Sequence, residues 1–94
     1  MNNLGEIIRN EREKKGWLLR HVGSELDVDQ ALISKFERGE RCPTKEQVVK
    51  LAKLYRLNEN DLMTAWLADK ISLEVQNEKM ALRAVKLFEE KLKA

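Results

Sequence analysis

The stretch DVDQALISKFERGER, residues 27–41, decides how this chain reads. Asp27-Val28 makes a tight link and Asp29 is a helix cap. Leu32, Ile33 and Phe36 then recur at the spacing of one buried helical face, and Gly39 ends the helix. Gln30, Ala31, Ser34 and Lys35 are left outside that face, and the stretch closes on the mixed charges Glu37-Arg38-Gly39-Glu40-Arg41. Either this is an ordinary amphipathic helix with solvated charges, or its outer side chains are there to be read against a partner.

The neighbouring sequence favours the second reading. Trp17 opens a short apolar-periodic piece with Leu19, Val22, Gly23 and Leu26. Two short helices, 18–26 and 29–37, separated by so few residues, outline a helix-turn-helix. The second helix can cross the first closely only if one inward position is small, and Gly23 supplies it. The turn needs a residue tolerant of positive φ, and Asp27 is among the few non-glycine types that are. Val28, Ile33 and Phe36 are placed to close the core between the two.

Outward from this motif the chain is helical throughout. Asn3 with Glu6 is a capping box for a first helix striped by Leu4, Ile7 and Ile8, with Gly16 past its end. Thr44 with Gln47 starts a fourth, striped by Val48, Leu51, Ala52 and Tyr55. Asn58 with Asp61 starts a fifth that carries Leu62, Met63, Trp66, Leu67 and Ile71. The pattern breaks at Gln76-Asn77-Glu78, where Asn77 is the expected cap of a sixth helix bearing Ala81, Val85, Phe88 and Leu92. No strand-like alternation occurs, so the fold class is all-α.

The chain of 94 residues suffices for one small core. Its net charge of +2 would not by itself suggest nucleic acid. Cys42 is the lone cysteine, read as a partly buried turn residue, so no internal disulfide is expected. No signal peptide is read at the N-terminus, and no apolar run approaches the roughly 18 residues of a membrane span. A cytoplasmic, nucleoid-associated protein of bacterial or phage type, with no membrane partner, is expected. One histidine and one cysteine without ligand spacing, and no glycine-rich phosphate loop, give no basis for an enzyme, a metal or a cofactor.

The runs LGEIIR (4–9), EREKKG (11–16), LDV (26–28) and ISKFERGER (33–41) with Pro43-Thr44 resemble the lambda-repressor-like (XRE/Cro) helix-turn-helix family of transcription regulators. The resemblance spans roughly residues 4–67. It implies a five-helix domain over 1–67 and double-stranded DNA as partner. It also makes residues 29–37 the recognition helix, its N-terminal end facing base edges in the major groove. By position, Gln30, Ala31, Ser34 and Lys35 are then the base readers: Gln pairs with adenine, Ala touches a thymine methyl, Ser serves either base type and Lys reaches guanine or phosphate. Arg38, Arg41, Thr44 and Lys45 are the expected phosphate anchors. Glu37 is expected to pair with Arg9 or Arg12. The family usually begins its second helix with a polar cap and a phosphate-clamping Gln; here Leu18 and Leu19 stand there, and Arg20 is the substitute contact, while His21 reads as a surface residue.

Residues 68–94 exceed the minimal domain. Their surplus stripe of Ile71, Val75, Leu82, Val85, Phe88 and Leu92 is expected to form a homodimer interface; the alternative is intramolecular cover for Trp66 and Leu67. The expected function is sequence-specific regulation, as a repressor or autoregulator on an inverted-repeat operator. The compact build is similar to controllers of restriction–modification or phage-like elements. The competing expectation is an antitoxin-like interaction module whose tail binds another protein.

Overall fold

The computed structural model describes residues 3–94 as six α-helices, with no strand among them: α1 (Leu4–Lys15), α2 (Leu19–Leu26), α3 (Gln30–Arg38), α4 (Lys45–Tyr55), α5 (Glu59–Val75) and α6 (Ala81–Lys93). Local chemistry sets most boundaries. Asn3, Asp29, Thr44 and Asn58 each accept a backbone N–H in the first turn of α1, α3, α4 and α5, a cap contributing about 1 kcal/mol apiece. Thr44 and Gln47 complete a reciprocal box, with Thr44 N donating to Gln47 Oε1 at 2.8 Å. Asp27 stands at φ 57° between α2 and α3, and Gly39 at φ 75° after α3.

The buried side chains Leu4, Ile8, Val22, Ile33, Phe36, Val48, Leu51 and Leu62 converge from all of the first five helices into one core. Two backbone contacts fix how α3 lies within it. A Cβ on Gly23 would stand 2.7 Å from the Val28 carbonyl oxygen, so α2 and the start of α3 touch main chain to main chain. A Cβ on Gly5 would stand 2.5 Å from the Glu37 carbonyl oxygen and 2.7 Å from that of Phe36, so α1 seats directly on the last turn of α3. The first contact was legible in the helix-turn-helix spacing; the second was not.

A buried ion pair locks the same junction. Arg12 donates from Nε to Glu37 Oε2 at 2.7 Å and from Nη2 to Glu37 Oε1 at 3.1 Å. Its Nη1 donates to the Trp17 carbonyl at 2.9 Å, tying the link before α2 into the same group. Glu37 is thus braced by Arg12; the other candidate, Arg9, pairs with Glu13 one turn along α1. The hydrogen bond and charge of Glu37 raise the Arg12 pKa further above its ordinary value, against the opposing effect of burial. Trp17 stacks on Tyr55 at 5.8 Å, and burial pushes the Tyr55 phenol well above its usual range.

Several expectations are corrected. Cys42 is exposed, and its neighbour Pro43 is the buried residue of that link, where its carbonyl accepts from Trp66 Nε1 at 2.8 Å. Leu67, expected in the buried stripe of α5, is half exposed, and Ala65 takes the inward position. Asn77 does not cap α6: it adopts φ 70° in the connecting turn, and α6 begins after Met80 with no side-chain cap. α6 buries none of its side chains, so the fold-back over Trp66 and Leu67 does not form; Trp66 is covered instead by Pro43 and by the Lys70 ammonium, 4.3 Å above its ring.

Replacing Gly5 by Ala should destabilise the protein by about 1–3 kcal/mol in urea unfolding, even though Ala is the better helix former by about 1 kcal/mol, because the new methyl meets backbone that cannot step aside. Glu37→Gln should cost on the order of 3 kcal/mol, since it leaves the Arg12 guanidinium desolvated beside a neutral partner. Equal stability of the Gln variant would show that the pair does not hold α1 to α3.

Candidate nucleic-acid interface

Helix α3 presents two faces with different duties. Ile33, Phe36 and Glu37 point inward and are buried. Gln30, Ala31 and Lys35 are exposed and Ser34 is half-buried. At 3.6 residues per turn these four, at positions i, i+1, i+4 and i+5, share the side opposite the core. The structure therefore brings the four expected readers together on one outward strip. Asp29, the acid that precedes them, is held as the cap: its Oδ1 accepts the Ala31 N–H at 2.7 Å. Its charge is drawn into the helix end instead of standing alone where a phosphate would approach.

The strip is flanked at both ends by cations. On the α2 side, Arg20 is exposed and lines a shallow groove with Gln30, Arg12, Leu18 and Leu19. The substitute contact expected from sequence thus stands beside the first reader. On the α4 side, Arg41, Thr44 and Lys45 are all exposed. Arg41 makes no ion pair among the described residues, whereas Arg38 chelates Glu40 through Nη2 at 2.7 Å and Nε at 3.1 Å. Both members of that pair are more than half exposed, so it contributes at most about 1 kcal/mol and a phosphate can displace it. Thr44 is more committed. Its Oγ accepts from Gln47 N at 3.1 Å and its own N–H is taken by the Gln47 side chain, which leaves the hydroxyl proton free to donate outward.

Leu18 is the residue of this surface whose role the sequence did not disclose. It is the N-cap of α2 and makes no side-chain cap bond, in contrast to Asn3, Asp29, Thr44 and Asn58. Leu19 behind it packs on the core, but Leu18 is 56% exposed. His21, as expected, is a surface residue, 4.8 Å from the Trp17 ring. Among the described residues no group of His, Cys, Asp or Glu is arranged to hold a metal ion, and no helix is long and apolar enough to cross a membrane.

Comparison with curated proteins and with solved structures gives no match. A family comparison does: the profile described as helix-turn-helix matches residues 8–62, more than half of the chain, from within α1 to within α5. Those limits enclose the α2–α3 motif, the part of α1 that carries Arg12, and the α4 start that carries flanking cations. With six helices, the α2–α3 crossing and an exposed polar strip on α3, the chain belongs to the lambda-repressor-like helix-turn-helix family of DNA-binding regulators.

Proposed function

We propose that the protein is a sequence-specific regulator that binds double-stranded DNA as a homodimer on an inverted repeat, acting as a repressor or autoregulator. The observation that carries the reading is the outward strip Gln30, Ala31, Ser34 and Lys35 on a helix whose core side is packed by Ile33 and Phe36 and whose last turn is held by Glu37. A helix read by its base-contacting side chains has to be held rigid, and α3 is held at its last turn by the Arg12–Glu37 pair and the Gly5 contact and at its start by the Gly23 contact.

In this proposal Gln30 forms the paired hydrogen bonds to an adenine edge, Ala31 meets a thymine methyl, and Ser34 and Lys35 reach the following bases or a phosphate. Arg20, Arg38, Arg41, Thr44 and Lys45 sit along the backbone on either side and fix register without reading sequence.

The dimer is proposed through the tail. Ile71, Leu82, Val85, Phe88 and Leu92 are all exposed and Val75 half-buried. Ala81, Val85, Phe88 and Leu92 follow one another at steps of four, three and four, the seam spacing of paired helices. An isolated helix of this length is marginal in water without a surface to pack on, and a second copy supplies an identical stripe. The alternative, an antitoxin-like module, places another protein on that stripe. A controller of a restriction–modification or phage-like element is the regulatory setting we favour.

Selecting fragments from a random DNA pool with the purified protein tests the whole reading: a two-fold symmetric sequence should emerge, and recovery of no common sequence would overturn it. On the selected site, Gln30→Ala should cost about 1–3 kcal/mol and relax one base position per half-site. Arg41→Ala should weaken binding to all sequences and lower the salt slope by about one unit; an unchanged slope removes Arg41 from the backbone contacts. Removing residues 77–94 should convert dimer to monomer in light scattering. A wild-type chain that is already monomeric, with an equally monomeric truncation, would favour the partner-protein alternative.

A further inference from the structure

Resting on the proposed DNA contact, we infer that Leu18 is an additional specificity-determining residue, which reads the C5-methyl group of a thymine next to the base contacted by Gln30. Leu18 occupies the start of α2, where a polar cap would add stability and where α1, α3, α4 and α5 all carry one. Its side chain is 56% exposed, so it adds little to the core, while the adjacent Leu19 is the one that packs inward. The two leucines line one shallow groove with Gln30 and Arg20. A groove that gathers the cations Arg20 and Arg12, an amide and apolar side chains holds the groups that complement the edge of a duplex at an A·T pair. The phosphate lies against Arg20, the amide meets the adenine, and the methyl is the one apolar group that the major groove displays.

The occupant is thus a thymine methyl, and continuity with Gln30 argues for it. Among the described residues the other exposed large apolar side chains, Leu67 and those beyond it on α5, α6 and their connection, lie outside the helix-turn-helix match. Leu18 is inside it and on the same groove as a base reader.

The test is a thymine-to-deoxyuridine scan of the selected operator, which removes one methyl at a time, read by fluorescence anisotropy with the full-length protein. Wild type should lose about fourfold in affinity at one thymine per half-site, the worth of one buried methyl group. Leu18→Ala should bind the unmodified operator about as weakly as wild type binds that deoxyuridine site, and should be indifferent to deoxyuridine there. Leu18→Asn, which restores a polar cap, should raise the melting temperature yet show the same indifference, separating reading from folding. Equal sensitivity of wild type and both variants at every thymine would overturn the inference and leave the Gln30 reading intact. A uniform loss in the variants, with no thymine singled out, would assign Leu18 to the sugar–phosphate backbone and also overturn it. Failure to select any operator removes both readings together.

Discussion

The Arg12–Glu37 pair is the interaction on which the rest of the arrangement depends. Glu37 lies in the last turn of α3, where the helix dipole disfavours a carboxylate, and it is nearly excluded from water. Such a charge is tolerated only because both of its oxygens are taken by one guanidinium in the planar, two-point geometry that arginine alone supplies. The third donor of that guanidinium reaches the carbonyl of Trp17. One side chain of α1 therefore fixes the end of α3 and the entry to α2 together. The outward strip of α3 begins only two turns from Glu37, so its angle to any partner is set by this pair.

The glycines make the pair possible. Arg12 spans to Glu37 because α1 lies on the α3 terminus with carbonyl oxygens closer to Gly5 than any side chain would permit. Gly23 does the same between α2 and the first residues of α3. At both places a favourable helix residue would move α3 bodily by a few tenths of an ångström or more. The sequence tolerates two poor helix formers to obtain a fixed crossing, and α2 further forgoes a polar cap. These concessions gather around α3; α4 has a complete capping box, and its own costs lie in the buried Tyr55 hydroxyl without a hydrogen-bond partner and in Arg56 at φ 56° just past its end.

What could be read from sequence divides along the same line. Caps, left-handed turn residues and buried stripes depend on residues within one turn of each other, so the caps Asn3, Asp29, Thr44 and Asn58, the turn residue Asp27 and the α4 stripe all form, although Glu6 meets the Asn3 side chain at 3.4 Å and does not complete the reciprocal box. Contacts between distant segments did not follow from local pattern. The choice between Arg9 and Arg12 for Glu37 turns on which side of α1 faces α3, and one helical turn separates the two answers. Cys42 and Pro43 exchanged roles because the proline carbonyl is drawn inward by the Trp66 indole, from a helix that starts more than a dozen residues later. A break in the apolar pattern at an asparagine suits a cap and a turn equally, and at Asn77 the tolerance of positive φ places the residue inside the turn. At the interface, the strip on α3 was legible from its period, and the exposure of Leu18 was not, because two adjacent leucines look alike until the core chooses one.

The tail depends on the domain through a contact that no local pattern announces. Asp69 Oδ2 accepts the backbone N–H of Leu4 at 3.0 Å, so the middle of α5 supplies a carboxylate to the N-terminal end of α1. With Trp66 bonded to Pro43 and Lys70 laid over the indole ring, α5 is fixed to the domain through about residue 70, and only its last turns stand free. The seventeen residues of α5 span about 25 Å at the usual rise. In the proposed dimer, whose reading helices must lie about 34 Å apart to enter successive major grooves, a rigid arm of that length is what would set the separation. A flexible tether would leave the two strips of α3 to find their grooves independently. In that dimer, an arm anchored by Asp69 to the same helix that carries Arg12 would instead put both the angle of each strip and the spacing between strips under the control of α1.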